Sequence, residues 1–445
     1  MAPRHVVPLL IALLAGPGSL GAQDGPRPSS PPAAPLPASA REEKGVSAVG
    51  TRAIPPARPK EVRAIWVTRW DFRTEGDVQR AVRWCAGVGL NRIFFQVRGR
   101  ADAFYRSRIE PWGEELGGSD PGFDPLETAI AAGRDAGVEI HAWINTLPGW
   151  KGASPPRNPR HVVHTHPEWF LVDRTGKRHL LDEGDYTILN PCLPEVRAHV
   201  LSVVEDIVTR YPVDGIHLDY IRFVARKPGP GHDVGFDPRT LSIFRQYFGG
   251  SPSDLPADWD RFRAAAVDTM VFNISNAVKS LRPGCRVSVA AIPDYARAVR
   301  GLFQDVAKWR EKGWIEEIYP MTYETDDEVF AFRASAAARR SPGVVIPGIG
   351  VHLHRGAGRT VSQIDATRRL GAPGYALFAF ANLFPSPSHE SRSDPASKRL
   401  RAALRASILA ANEADPREAG VGILQVANPP PGRSRPRDGK GGPIP

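Results

Sequence analysis

The chain has 445 residues, 42% of them hydrophobic and 24% charged, which excludes a collagen, a long coiled coil and wholesale disorder. Lys and Arg number 58 against 48 Asp and Glu, a net charge of +10 suited to anionic surfaces. The Arg residues are scattered and no zinc-finger or RNA-binding motif accompanies them, which argues against nucleic acid as a partner.

From the N-terminus, Arg4 and His5 precede an apolar run, Val6 to Leu14, and then Gly16-Pro17-Gly18. With Leu20-Gly21-Ala22 as a cleavage triplet, residues 1–22 read as a secretory signal and predict export to the periplasm or beyond the cell. The run is short for a bilayer and no later segment reaches 18 apolar residues, so no stable span is expected in the mature chain. Residues 23–59, rich in Pro, Ala and Ser, read as a disordered linker. The stretch 413–445 is its counterpart, with Arg433, Arg435, Arg437 and Lys440 as a basic tail for contact with anionic cell-wall polymer. Residues 60–412 are the expected folded domain. Cys85, Cys192 and Cys285 are odd in number and widely spaced, which gives no disulfide framework and no CxxC pair.

Within that domain eight β-branched or aromatic runs are bounded by turn signals. They are Val62–Thr68, Arg92–Val97, Val138–Ile144, Gly215–Tyr220, Arg286–Ala291, Glu316–Thr322, Val344–Ile349 and Tyr375–Phe380. Amphipathic stretches at 77–88, 194–211, 257–282 and 360–370 lie between them, and Cys85 falls on the apolar face of the first. Eight alternations of strand and helix predict parallel pairing and a (β/α)8 TIM barrel with long loops after strands 3 and 4. An open doubly wound sheet is the alternative. It would carry a Gly-rich phosphate loop after strand 1, where Arg69-Trp70-Asp71-Phe72 stands instead.

Barrel enzymes place their active sites where strands end. Asp219 is the sharpest residue there. It shares a strand face with His217, and an inward carboxylate is costly unless solvated or paired. The bland reading is an ion pair with Arg222 or Arg98; the functional one is a nucleophile or electrostatic stabiliser. Glu324 is the best second carboxylate for acid/base work on a glycosidic bond, and Asp294 is the reserve. Gln96, Arg98, Asn145, His217 and Tyr323 are expected to orient sugar hydroxyls, with Trp143, Tyr220 and Arg222 beside them. Trp66, Trp70, Trp112, Trp143, Trp150 and Trp169 crowd the first half and suit stacking on sugar faces. His161, His164 and His166 invite a metal reading, but they sit in a Pro-rich loop without HExxH, so neither metal nor cofactor is expected.

Several stretches carry a resemblance. They are Glu61-Val-Arg-Ala-Ile-Trp-Val67, Asn91-Arg-Ile-Phe-Phe-Gln-Val-Arg98, Asp102-Ala-Phe-Tyr-Arg-Ser107, Glu110-Pro-Trp112, Phe123-Asp-Pro-Leu126, His141-Ala-Trp-Ile-Asn145, His166-Pro-Glu-Trp169, Leu189-Asn-Pro191 and Val213-Asp-Gly-Ile-His-Leu-Asp219. The chain resembles the bacterial glycosyl-hydrolase-like family 10 domain proteins over residues 61 to about 220, with a thinner match towards 385. The resemblance implies an exported barrel, and some members are implicated in cleaving peptidoglycan glycan strands. Members often carry a second acid directly after the strand-4 Asp, where Tyr220 stands here. The chain is also similar to chitinase-like barrels at Asp214-Gly-Ile-x-Leu-Asp219 and Met321-x-Tyr323, but their catalytic Glu would fall at Ile221.

The expected function is therefore an exported glycoside hydrolase acting on a polysaccharide, with peptidoglycan glycan as the suggested substrate. The rival readings are a carbohydrate-binding barrel without catalysis and a metal-dependent deacetylase using the histidine run.

Overall fold

The computed structural model describes residues 61–223, 233–385 and 395–413. The expected signal, linker and basic tail lie outside them, save that residue 413 closes the last helix. In chain order the strands are β1 (Val62–Val67), β2 (Arg92–Arg98), β3 (Glu139–Asn145), β4 (Pro148–Gly152), β5 (Asp182–Ile188), β6 (Gly215–Asp219), β7 (Arg286–Ala291), β8 (Glu317–Thr322), β9 (Gly348–Gly350) and β10 (Gly374–Phe378). Eight of them close into a parallel barrel in the order β1-β10-β9-β8-β7-β6-β3-β2, a TIM barrel. The antiparallel pair β4–β5 stands apart from it, inside the long interval after β3.

Helices cover the barrel, and several of them begin on side-chain caps. Thr74 and Asp77 form a reciprocal capping box at the start of α1 (Glu75–Gly87). Asp124 caps α2 (Pro125–Ala136), where Pro sits in the first turn, and Gly137 ends it in the left-handed region at φ +66°. α3 (Val162–Thr165) lies in the same excursion as β4 and β5, and α4 (Pro194–Arg210) leads into β6. The long interval after β6 is mostly helix, α5 (Pro238–Phe248) and α6 (Pro256–Leu281). α7 (Tyr295–Leu302), α8 (Val306–Glu311), α9 (Asp327–Arg340), α10 (Ala357–Arg369) and α11 (Pro395–Glu413) complete the ring. Among the described residues no helix is long and apolar enough to cross a membrane.

The barrel strands are covered on both faces; every residue of β2 and β6 is buried. That is why they read as near-continuous apolar runs. Ile65, Val67, Ile93, Phe95, Ile216 and Leu218 face the helices. Ala64, Trp66, Phe94, Trp143, Tyr319 and Ala376 point inward and fill the lumen. At its lower end the Arg92 guanidinium binds Glu139 (2.7 Å), Glu317 (2.6 Å) and the Tyr319 hydroxyl (2.7 Å). β9 is shorter than the run Val344–Ile349 suggests. Pro347 has no N–H to give the ladder, so Val345 keeps only an isolated bridge to Ile318 before β9 starts at Gly348.

Arg98, at the end of β2, has no exposed surface. Its fork holds the Glu110 carboxylate (2.8–3.0 Å), and its Nη1 donates to the carbonyls of Asn145 and Thr146. His199 Nε2 on α4 closes on the same carboxylate at 2.9 Å. Burial works against the Glu110 charge, but Arg98 and His199 overcome it and hold the carboxyl at about 2, below its ordinary 4.5. A carboxyl so depressed stabilises the fold above pH 4.5, and that contribution is lost as pH falls from 4.5 towards 2. Glu110→Gln strands a buried guanidinium and should cost about 3–5 kcal/mol. Urea unfolding at several pH values checks both points: the variant should be less stable at neutral pH and lose less on acidification.

Candidate active site

A cavity of about 290 Å³ opens at the C-terminal end of the barrel. It is at the small end of ligand pockets, sized for the groups around one bond. Trp66, Thr68 and Trp70 come from β1 and its exit, Gln96 from β2, and Trp143 and Asn145 from β3. Asp219, Tyr220 and Arg222 come from the end of β6, Ala290, Ile292 and Pro293 from β7, Met321 and Tyr323 from β8, and Phe378 from β10. Tyr186 reaches in from β5, outside the barrel. Gly350 makes room for Tyr323, because a Cβ there would sit 2.8 Å from the Cβ of Tyr323.

Asp219 is the only carboxylate among the described lining residues. One carboxylate oxygen accepts the Tyr220 N–H at 2.6 Å, and Arg222 Nη1 stands 4.0 Å from it, beyond hydrogen-bond reach. Burial raises the Asp219 pKa above the ordinary carboxylate value, against smaller lowering effects from Arg222, the Tyr220 N–H and the Trp143 indole. The Trp143 N–H contributes electrostatically without the geometry of a full hydrogen bond. Tyr220 itself sits at φ +51°, its ring edge-on to Tyr186 (5.2 Å) and under the Arg222 guanidinium (4.3 Å). Burial, then the charge of Asp219, keeps the Tyr323 hydroxyl protonated well above its usual range.

Three buried polar atoms on this wall have no hydrogen-bond partner: Trp143 Nε1, Asn145 Oδ1 and Arg222 Nη1. Leaving such an atom unbonded costs about 1–3 kcal/mol. A donor, an acceptor and a cation set among aromatic faces suit a polar ligand with apolar faces, which is the chemistry of a sugar ring.

Of the residues expected from the sequence, Asp219, Gln96, Trp143, Asn145, Tyr220, Arg222 and Tyr323 meet in this cavity. Four do not. Glu324 is not on its lining; its carboxylate is held by Arg333 on α9 and its carbonyl accepts from Gln363 and His354. Asp294 caps α7 by accepting the Arg297 N–H. Arg98 is consumed by Glu110 and two carbonyls. His217 lies one layer deeper, fully buried and stacked on Phe94 with ring centres 3.9 Å apart. The Trp66 indole can only donate, so His217 Nε2 accepts from it (3.1 Å) and Nδ1–H donates to Ser288 Oγ (2.9 Å). Burial holds that imidazole neutral. Of the six tryptophans singled out, Trp66, Trp70 and Trp143 line the cavity, whereas Trp112, Trp150 and Trp169 do not. Met321, noted in the sequence only beside Tyr323, also lines the cavity, whereas Tyr186 and Phe378 escaped sequence reasoning; Phe378 carried a readable signal, being an in-phase residue of a predicted strand.

The three histidines of the loop do not converge. His161 caps α3 through Nδ1 and donates from Nε2 to the Arg100 carbonyl, His164 binds the Pro156 carbonyl, and His166 stacks on Trp169. No cluster of three metal-ligating side chains occurs among the described residues.

Arg69, buried beside the cavity, organises its rim. Its backbone N–H donates to Gln96 Oε1 (3.0 Å) and its Nη2 to the Tyr186 hydroxyl (3.1 Å). Its guanidinium lies 3.7 Å from the Trp70 ring centre, and Glu115 balances the charge at 3.0 Å.

The family described as glycosyl hydrolase-like 10 matches residues 61–369. The chain belongs to this family. Glycosyl hydrolase DigH of Escherichia coli strain K12 is 29% identical over 263 residues, 53% of this chain and 55% of that protein. Glycosyl hydrolase YngK of Bacillus subtilis is 25% identical over 296 residues, 59% of this chain and 54% of that one. The chain thus spans about half the length of these curated relatives. Among solved structures, the PgaB (BpsB) glycoside hydrolase domain from Bordetella bronchiseptica superposes with a TM-score of 0.55 at 15% identity, covering 77% of this chain and 99% of that one. The catalytic domain of β-amylase from Paenibacillus polymyxa gives 0.54 at 12% identity, covering 80% of this chain and all (100%) of that domain. At these identities the likeness speaks for the fold alone.

Arg69→Lys keeps the charge and loses the planar fork that holds Tyr186 and covers Trp70. Hydrogen exchange read by mass spectrometry should quicken in residues 148–152 and 182–188 and stay unchanged in the barrel strands. Equal exchange in both proteins would mean that Arg69 does not hold this rim.

Proposed function

We propose that the chain is a glycoside hydrolase that cleaves a polysaccharide in the cavity at the C-terminal end of the barrel, with peptidoglycan glycan as the leading substrate. The observation that carries this reading is a buried carboxyl with a raised pKa, Asp219, set among aromatic walls and unbonded polar atoms. Family membership supports the reaction class.

The raised pKa changes the role given to Asp219. A carboxyl that keeps its proton to higher pH is suited to protonate the leaving oxygen, so Asp219 acts as the general acid in this proposal rather than as nucleophile or stabiliser. Trp143 and Asn145 hold sugar polar groups, and Trp66, Trp70, Tyr186 and Tyr323 supply the stacking faces. Glu324, tied to Arg333 off the cavity, takes no step.

Asp219→Asn should abolish release of fragments from purified glycan, read by mass spectrometry against a panel of neutral polysaccharides and peptidoglycan with and without stem peptides. In the wild type, kcat/KM should fall as pH rises through the Asp219 pKa, since only the protonated form donates. Arg222→Gln removes a cation that favours the carboxylate, so this limb should move to higher pH. Undiminished turnover by Asp219→Asn would refute the assignment.

A second reading is a barrel that binds glycan without cutting it. Its support is that Asp219 has no carboxylate partner among the described lining residues. Retention of wild type and Asp219→Asn on one polymer, with no fragments from either, would favour it.

We also propose export through residues 1–22 and wall contact through the basic tail. Cell fractionation and intact-mass measurement should find an exported protein beginning after Ala22, with wall retention reduced on deletion of residues 428–445.

A further inference from the structure

Tyr220 takes a backbone conformation that its own chemistry disfavours. Its φ is +51°, in the left-handed region, where a bulky aromatic residue is an outlier. Such a conformation persists only where the surroundings hold it. The Tyr220 ring meets Tyr186 in a T-shaped contact at 5.2 Å, and Tyr186 is itself fastened by Arg69 Nη2 at 3.1 Å. The Arg222 guanidinium lies over the same Tyr220 ring at 4.3 Å. The ring is thus clamped from β5 on one account and from its own strand exit on another.

What the clamp fixes is the peptide between Asp219 and Tyr220. Its carbonyl accepts the Thr146 N–H at 2.7 Å, and its N–H donates to Asp219 Oδ1 at 2.6 Å. One peptide plane therefore receives the exit of β3 and holds the Asp219 carboxyl. A protonated carboxyl has one hydroxyl oxygen and one carbonyl oxygen, and the carbonyl oxygen is the better acceptor. With Oδ1 taken by the N–H, the proton rests on Oδ2, the oxygen left to the cavity that Asp219 lines. Burial raises the Asp219 pKa, and the Tyr220 N–H is among the smaller effects that favour the carboxylate.

We propose that Tyr220 is a positioning residue for proton transfer: its clamped left-handed backbone holds Asp219 by Oδ1 and assigns the acid proton to Oδ2. This rests on Asp219 being the general acid of a glycosidase and goes beyond it by naming what aims that acid. In the step, Oδ2 gives its proton to the leaving oxygen and keeps the electron pair. The N–H bond to Oδ1 strengthens as the carboxylate charge develops, so it favours transfer as well as aiming it. Tyr220 acts through Asp219 and needs no contact with the sugar.

The groups facing Asp219 are Arg222 and Tyr220 at its own strand exit, Trp143 on β3 and Tyr323 beyond β8, and only Tyr220 is changed in the test. Labelling the full chain with 15N-tyrosine gives nine amide signals, and the Tyr220 signal is the one lost in Tyr220→Phe. That signal should titrate at the pH of the wild-type kcat/KM limb and stay flat in Asp219→Asn. Kinetics use the polymer, from peptidoglycan and the neutral panel, that wild type cuts. Tyr220→Ala removes the clamp, and its kcat should fall roughly tenfold or more, since small misplacements of reacting groups cost up to about 10²-fold. KM should change little, and the limb should move to higher pH as the carboxylate loses its N–H. Tyr220→Phe keeps the ring and should keep most of the wild-type kcat. p-Hydroxyphenyllactate in place of Tyr220 turns the 219–220 amide into an ester, removes this N–H alone, and should reproduce the pH shift. Circular dichroism checks the fold of each variant.

A Tyr220 that merely kept water from Asp219 would give the opposite sign, because solvating the carboxylate moves the limb of Tyr220→Ala to lower pH. That shift, a loss confined to KM, an undiminished kcat in Tyr220→Ala, or an amide that does not follow Asp219 would overturn the proposal and leave the glycosidase reading in place. A titrating amide with no fragments from any glycan would overturn the glycosidase reading and, with it, the role of Tyr220 in proton transfer.

Discussion

A guanidinium without exposed surface ties together three of the strands that line the cavity. Arg98 ends β2, grips Glu110, and donates to the carbonyls of Asn145, the last residue of β3, and of Thr146. The Thr146 N–H just beyond then donates to the Asp219 carbonyl at 2.7 Å, so the connection runs on into β6. Gln96, Asn145 and Asp219 ride on these strand ends. A buried ion pair is weak evidence for stability, but breaking one is severe. This pair therefore acts as a constraint: it sets the relative heights of β2, β3 and β6 and with them the spacing of the side chains above.

Below that level the barrel is built to be chemically quiet. His217 is held as one neutral tautomer between the Trp66 indole and the Ser288 hydroxyl, and burial keeps it from taking a proton. Arg92 at the lower end is matched by Glu139 and Glu317. In these layers Arg92 and His217 meet hydrogen-bond partners inside the protein, whereas the two ring nitrogens of His141 do not. At the upper end Trp143, Asn145 and Arg222 do not, and the same strands pass within a few residues from one condition to the other. The family match spans this whole region, while the solved structures that superpose on it share the fold at 12–15% identity.

Most of the fold was legible because each barrel strand is buried on both faces and so leaves an uninterrupted apolar mark. Arg286–Ala291 is recovered to the residue, and the others lie within a few positions. The pair β4–β5 left no such mark: PGWKG and DEGDYTI lack alternation, and their pairing is interrupted by register shifts. The site was legible in part, and the misses have a common cause. Period-two alternation says which face a residue takes but not its height along the barrel. His217 and Asp219 share a face, yet one is packed beneath Phe94 and the other reaches the cavity. Arg98 reads as a strand-end cation, and nothing local announces Glu110, twelve residues on, as its partner. Glu324 lies one residue past Tyr323 and turns to Arg333 on a helix that the sequence places only roughly.

Tyr186 is the exception among the cavity's walls. Every other described lining residue lies on a barrel strand or within three residues of one, whereas Tyr186 arrives on an excursion fastened by Arg69. The excursion can be lengthened, shortened or replaced without altering a single rung of the barrel's ladder. Descendants of this scaffold are thus free to change the width of the cavity by remodelling one strand pair, while Asp219 and its supporting strands are inherited intact.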